Sequence, residues 1–493
     1  MRRALRSVVV AAPALAVACF SAGEIVVSPP FNDASTADGS TAEASGDGAS
    51  NMQRGDEGGD AEGASDATRT GDVLSDGATT DAPPPGPVTI VVSSVNGPEQ
   101  GVSIVFSNPD GSYVASGSTD ASGKATQTLA AGGMVTALLG ATQELVTIVG
   151  VASGDVLSLL DPTVQAPEGS WSLTSVTTSM APATTNYSEL NGPCTRNNLG
   201  LPLPYAGTPV FTDCAWKGAM PVLLLAFNTT NGGYNLTPLG GFTFSNSNAL
   251  LPDGGVLDVA LGQSWTQTST VTVNLSNVPA GFDTRDVDHY EYSDGFAFSP
   301  YVWGYPNVQP VVVDDPDAGT ASVTFPSYPG LPDFVQSQAV MGNAGGTATI
   351  AMRSDTLPST VSLDLSQVLP EILAGGIDGV SAPGRPIASW TPLAPLGSAD
   401  GTYATVSWNN GNQLWIFVLP PASTTVQAPA LPGSASSWAP APTNSFELTV
   451  TTVDAEGVDG YSAFRAMGTT LMSQGVAPPL PMAGLYRATT LSN

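Results

Sequence analysis

The residues best suited to chemistry crowd into one stretch, Asp283-Thr284-Arg285-Asp286-Val287-Asp288-His289-Tyr290-Glu291-Tyr292-Ser293-Asp294-Gly295, which holds the only histidine of the 493-residue chain. Asp286, Asp288, Glu291 and Asp294 are hard oxygen donors of the kind calcium collects about six to eight at a time, and Gly295 permits a sharp turn behind them. The spacing departs from that of an EF-hand loop. The interleaved Tyr290 and Tyr292 fit a strand with a solvated acidic face, so the expectation divides between a calcium site and an ordinary strand. Calcium is the one cofactor these residues admit, against none at all. A second acidic cluster, Asp314-Asp315-Pro316-Asp317, reads as a turn, because Asp and Pro both favour turn positions.

Other chemistries fail on residue supply. A lone imidazole rules out His-Glu-x-x-His and every other multi-histidine zinc arrangement. The chain has no Gly-x-Ser-x-Gly elbow to present a serine nucleophile, and its glycine-rich stretches lack the Lys-Ser/Thr that completes a phosphate loop. Paired carboxylates acting on a glycosidic bond need a separation of about 5 to 9.5 Å, which spacing along a β scaffold does not fix. The expectation is therefore a protein that is not an enzyme, with a carboxylate-dependent carbohydrate-active enzyme as the alternative.

Three cysteines occur: Cys19, Cys194 and Cys214. The last two flank a loop with Asn197-Asn198, Pro202, Pro204 and Gly207, and in an oxidising compartment such a pair is expected to close a disulfide worth about 3 kcal/mol. Trp265, Trp303, Trp390, Trp408, Trp415 and Trp438, with Tyr290, Tyr292, Tyr301 and Tyr305, would stack on sugar rings if exposed on one surface, and otherwise fill cores. Trp408 and Trp415 flank Asn409-Asn410-Gly411-Asn412, a hairpin turn that would place both rings near each other.

These groups must be positioned outside the cytosol. Arg2, Arg3 and Arg6 lead into an apolar run over residues 8–18, which is interrupted by Pro13 and shorter than the roughly 20 residues a spanning helix needs, so residues 1–18 read as a cleaved signal. Ala16-Val17-Ala18-Cys19 resembles a bacterial lipobox, with Ala18 and Cys19 matching its last two positions and Ala16 standing where that motif favours leucine. The resemblance implies a lipid-bearing Cys19, and Phe20 in place of Asp implies sorting to the outer membrane. If Cys194 and Cys214 pair, Cys19 is the odd thiol, which favours acylation; cleavage of the same bond by signal peptidase I is the alternative.

Residues 19–87 form a spacer. Its thirteen acids face only Arg54 and Arg69, and so polar a segment cannot bury enough apolar surface to offset its ordering entropy. It should be a disordered tether with a reach of roughly 45 Å, stiffened at the end by Pro83-Pro84-Pro85-Gly86-Pro87. The net charge of −29 removes nucleic acid from the partner list, since phosphate contacts need clustered Lys or Arg. The membrane partner is reached through the lipid, and a glycan or a protein remains as ligand.

Strand signals run through the rest. Residues 88–92, 102–106, 113–118 and 124–129 are short β-branched or alternating runs, separated by Asn96-Gly97-Pro98, Asn108-Pro109-Asp110-Gly111 and Asp120-Ala121-Ser122-Gly123. Gly101-Val102-Ser103-Ile104-Val105-Phe106, the Pro109-Asp110-Gly111 turn and Ser118-Thr119-Asp120-Ala121-Ser122-Gly123-Lys124-Ala125 resemble the carboxypeptidase regulatory-like (transthyretin-like) domain. The Thr-Asp-x-x-Gly phrase also resembles bacterial Ig-like domains. The resemblance covers residues 88–155 and implies a small prealbumin-type sandwich without catalytic residues of its own. Alternation continues at 171–180, 222–227, 234–244, 264–275, 296–303, 321–325, 347–352, 360–365, 403–408, 413–419 and 445–453. The one helix-like window, 363–373, is broken by Pro370.

The expected fold is all-β: a small sandwich at 88–155, then a large β-rich region at 156–493 of one or two sandwiches, with an internal boundary at the Pro/Gly stretch 383–397. The layout resembles secreted envelope proteins of myxobacterial type. The expected function is a lipid-anchored binding or structural module of the cell envelope, periplasmic or at the cell surface, with a calcium-stabilised adhesin as a further alternative.

Overall fold

The structure, a computed structural model, describes residues 84–492 apart from 95, 141–142, 162–168, 178–180, 182–184, 186, 193–198, 202–205, 209, 215–219, 228, 231–234, 237–240, 248–254, 263, 280–283, 294–295, 299–318, 344, 410 and 473–482. The leader, Cys19 and the acidic spacer lie outside the described residues, as does Cys194 and with it the Cys194–Cys214 pairing.

The described chain is all-β, as its alternating runs require. A twelve-stranded sheet forms its middle layer, in the order Phe296–Phe298, Thr284–Ser293, Phe334–Asn343, Gly346–Ser354, Gly484–Ser492, Phe446–Ala455, Gly401–Trp408, Gln413–Leu419, Glu144–Val151, Gly133–Leu139, Ser103–Ser107 and Tyr113–Ser118. Neighbours are antiparallel except at one seam, where Gln413–Leu419 runs parallel to Glu144–Val151 with Leu414 opposite Glu144 and Val418 opposite Ile148. A parallel pair needs a long connection, and here it joins segments from opposite ends of the described chain.

The central strands of this sheet are covered on both faces, so they send side chains into two cores. On one face lie Gly86–Ser94, Lys124–Leu129 and Val156–Leu160, together with the helix Gly460–Ala466. Val88, Ile90, Phe106, Val135, Ile148, Val418, Tyr403 and Phe464 pack there in a single buried cluster. On the opposite face sits the sheet of Ile372–Asp378, Ile387–Pro392 and Thr425–Gln427. Trp390, Trp408, Trp415, Phe417, Leu448 and Leu491 fill the space between. Farther along that face, Ser269–Ser276, Thr320–Ser327 and Thr360–Asp364 cover the other end of the middle sheet, closing a third core around Val271, Phe325, Met341 and Ile350. The strand Gly484–Ser492 shows the period of two directly: Leu491 and Leu485 enter the second and third cores on one side, and Tyr486 and Ala488 enter the first on the other. Residues 169–261 contribute two further four-stranded sheets.

Two boundaries expected from sequence do not separate bodies. Residues 86–160 do close a sandwich, yet one of its two sheets continues across the parallel seam into the C-terminal strands, and the core runs through without a break. Residues 383–397 contain the middle strand of a covering sheet, Ile387–Pro392, paired on both sides; its prolines fall at and beyond the strand ends, where a missing N–H costs little. The window 363–373 is no helix. It is the end of a strand, a 3-10 turn at Leu365–Gln367 in which Asp364 Oδ1 accepts from the Ser366 N–H, and the start of the next strand.

The turns follow their side-chain chemistry. Gly111 N–H donates to the Asn108 carbonyl at 2.9 Å, and Asp110 Oδ1 accepts from Ser112 N–H. Asp120 Oδ1 accepts from the N–H groups of Ser122 and Lys124, while Gly123 takes φ +73° with its Cα packed so closely on strand Gly86–Ser94 that a Cβ would lie 2.3 Å from the Val92 carbonyl oxygen. At the seam, the fully buried Trp415 donates its indole N–H to Thr147 Oγ1 at 2.8 Å, and Thr147 shares a 2.8 Å hydroxyl contact with Thr136. Trp415→Ala empties a large volume on this line and should cost about 3–5 kcal/mol by urea denaturation; a loss below about 1 kcal/mol would show that the seam does not hold the sheet together.

Candidate functional site

The acidic stretch forms the strand Thr284–Ser293, paired only with Phe334–Asn343 along most of its length. Because strand side chains alternate, its described acids divide between two faces. Asp286 and Asp288 lie on one face and Glu291 on the other; Asp294 is outside the described residues. Among the described residues no group of three or more His, Cys, Asp or Glu side chains is placed to hold a metal ion. Asp288 accepts a 3.0 Å bond from Gln338 Nε2, directly opposite it, and burial pushes its carboxyl above the usual range.

Glu291 points inward with His289. Both are completely buried, beneath the covering strand Thr320–Ser327. Glu291 Oε1 accepts a 2.5 Å bond from Ser327 Oγ, and the Tyr328 N–H reaches both carboxylate oxygens at 3.1 and 3.2 Å. His289 Nδ1 lies 2.9 Å from Ser337 Oγ, its ring stacks 5.8 Å from that of Phe325, and its Nε2 stands 3.6 Å from Glu291 Oε1. Ser337, His289 and Glu291 thus follow one another as hydroxyl, imidazole and carboxylate, the sequence of groups in a hydrolase triad. Ser337 is fully buried in mid-strand, with neighbours hydrogen-bonded on both sides, so no substrate carbonyl can reach its Oγ. What the cluster does is mechanical: Glu291 satisfies donors on the covering layer from within the middle layer. Ser327 and Ser337 were not legible as its partners, since each lies more than 35 residues from its contact and only strand register brings them there.

A second group of acids closes one end of the N-terminal sandwich. Glu144 is nine-tenths buried, and burial first, then repulsion from Asp161, pushes its carboxyl up to about 7. Burial and the same Asp161 also raise Glu99.

The tryptophans divide by depth. Trp408 faces Gln413 and Trp415 faces Val406, so the two rings project from one face as diagonal neighbours across the expected hairpin, and with Trp390 they are core. Trp303, Tyr301 and Tyr305 lie outside the described residues, and Tyr292 is buried against Phe334 at 4.4 Å. Trp265 and Trp438 are half-buried. Trp438 borders a solvent-open cleft of about 250 Å³ between strands Ser103–Ser107 and Tyr113–Ser118 and the 3-10 turn Gly433–Trp438. No ionisable side chain lines that cleft.

No protein-family model matches the chain, and no curated protein sequence matches it. Among solved structures, the Bacillus anthracis TIE protein aligns at 12% identity and a TM-score of 0.14, over 57% of this chain and 49% of its own; this chain thus spans about half of that protein's length. The shaft pilin SpaA of Lactobacillus rhamnosus GG aligns at 11% identity and a TM-score of 0.14, over 36% of this chain and 97% of the pilin. A Ca²⁺-stabilized adhesin with which an Antarctic bacterium binds ice aligns at 10% identity and a TM-score of 0.13, over 75% of this chain and 95% of the adhesin. TM-scores of this size establish no common fold.

Two outcomes follow from the buried acids. Glu291→Ala orphans the Ser327 hydroxyl and the Tyr328 N–H, at about 1–3 kcal/mol for each group, so denaturation should show a loss of at least about 2 kcal/mol, with Glu291→Gln losing less. Glu144 has a folded value above its unfolded one, so its contribution is complete below about pH 4.5 and disappears as pH rises through about 7. Thermal melting should therefore show stability rising by up to about 3 kcal/mol on acidification from pH 8 to 5, and Glu144→Gln should flatten that rise.

Proposed function

We propose that this chain is an exported module of the cell envelope, tethered through a lipid on Cys19 and acting as a binding or structural surface rather than as a catalyst. One observation carries the reading: the groups with chemical potential are locked inside, and the outward faces carry short neutral hydroxyls. His289, Glu291 and Ser337 have no exposure to solvent. Outside, Thr89 meets Thr126 at 2.9 Å, Thr272 meets Thr324 at 3.2 Å, and Ser322 donates to Asn274 at 2.7 Å. Paired hydroxyls across neighbouring strands stiffen a sheet surface without charge. A rigid layered body on a long acidic leash suits presentation to a partner at a distance from the membrane. Among the described residues no helix is long and apolar enough to cross a bilayer.

Detergent phase partitioning of the protein expressed in a Gram-negative host tests the anchor. The wild type should enter the detergent phase and Cys19→Ala the aqueous phase, with mass spectrometry of the wild type giving a diacyl- or triacyl-cysteine at position 19. A wild type that stays aqueous, or whose mature chain retains Met1, would refute the proposal.

A further inference from the structure

A solvent-open cleft rimmed by exposed serines runs beside Trp438. Its floor comes from the end of the middle sheet, where Val105 and Leu138 are buried in the second core. Ser103 pairs with Ser118 and Val105 with Ser116, so the three serines share a face with Val105 and carry their hydroxyls to the cleft. The opposing wall is Pro432, Ser434, Ala435 and Trp438.

The walls are tied to each other. Ala430 N–H donates to the Gly111 carbonyl at 2.8 Å. Arg385 donates from Nε to the Ala428 carbonyl at 2.8 Å and from Nη2 to the Asp110 carbonyl at 3.2 Å, bridging the segment that leads to the tryptophan and the turn that leads to the outer strand. A cleft fixed in this way has less ordering cost to meet when a ligand enters.

Its chemistry defines the occupant. In a chain of net charge −29, a cleft with no ionisable lining offers nothing to a cation or an anion, and the long-range field repels anions. The exposed part of an indole that packs on the second core, and four exposed serine hydroxyls, match a ligand with one apolar face and a rim of hydroxyl groups. The volume of about 250 Å³ falls below the roughly 300 Å³ at which drug-sized pockets begin, so it suits one ring rather than a long segment. Ser116 already touches the Tyr113 hydroxyl at 3.2 Å, extending the polar rim outward.

We propose that this cleft binds a single neutral sugar ring, packed against Trp438 and hydrogen-bonded by Ser103, Ser116, Ser118 and Ser434. The inference deepens the surface-module reading and rests on it, giving that module a ligand class. The test titrates the full-length protein with glucose, galactose, mannose, N-acetylglucosamine and, as a charged control, glucuronate, using saturation-transfer NMR and tryptophan fluorescence. At least one neutral sugar should bind saturably at millimolar concentration while glucuronate does not. Trp438→Ala should weaken binding at least tenfold and Trp438→Phe by much less. Ser118→Val, at an exposed position, should weaken it several-fold with an unchanged melting point, and so reports even if Trp438→Ala fails to fold. Absence of saturable binding by all four neutral sugars would overturn the proposal, as would equal binding of glucuronate or affinities unaffected by Ser118→Val and Trp438→Phe alike. Detergent partitioning needs no sugar, so failure here is distinguishable from failure of the anchor.

Discussion

The pairing of Gln413–Leu419 with Glu144–Val151 is the contact on which the rest of the architecture depends. Without it the middle sheet would be two sheets, and each would expose an open edge to water or to other chains. With it, one platform serves all the cores. The indole–hydroxyl chain from Trp415 through Thr147 to Thr136 crosses the seam inside the second core, where the buried polar atoms need their partners most. Thr402 and Thr452, likewise buried and 2.9 Å apart, repeat the device two strands away.

Central strands buried on both faces also fit the composition. Charged residues make up only 11% of the chain, and several of those that enter the interior are held by backbone groups or by an opposite charge. Asp400 accepts from the N–H groups of Ala455 and Gly460, fixing the start of the short helix against the sheet, and Tyr403 donates to the Gly468 carbonyl beyond it. Arg465 reaches back to Asp155 and the Gly150 carbonyl, joining the C-terminal helix to the N-terminal sandwich. Glu291 belongs to the same pattern. It bolts the third core's covering strand to the platform instead of waiting for a substrate.

Sequence and structure agree best where local chemistry decides. The runs at 113–118, 124–129 and 413–419 became strands with those bounds, because turn residues on either side punctuate them. The central strands were harder to see. Gly133–Leu139 is buried at every position and Glu144–Val151 at nearly every one, so neither shows the alternation that marks a half-exposed strand. Missing them made residues 88–155 look separable. The calcium cluster had the reverse fault: acids close in sequence divide between two faces once the segment is extended, Glu291 on one and Asp286 and Asp288 on the other. The cleft beside Trp438 left no local trace at all, since its two walls lie more than 300 positions apart and meet through the second core, Arg385 and Ala430.

The place of Gly484–Ser492 bears on how such a protein is made. This strand is inserted in the interior of the sheet, between Gly346–Ser354 and Phe446–Ala455, so the platform has a vacancy until it joins. Pairings of such long range are slow to form, because loop closure must precede the gain from contact. The middle sheet is therefore complete only when residues 484–492 have taken their place between two strands that lie far from each other in sequence.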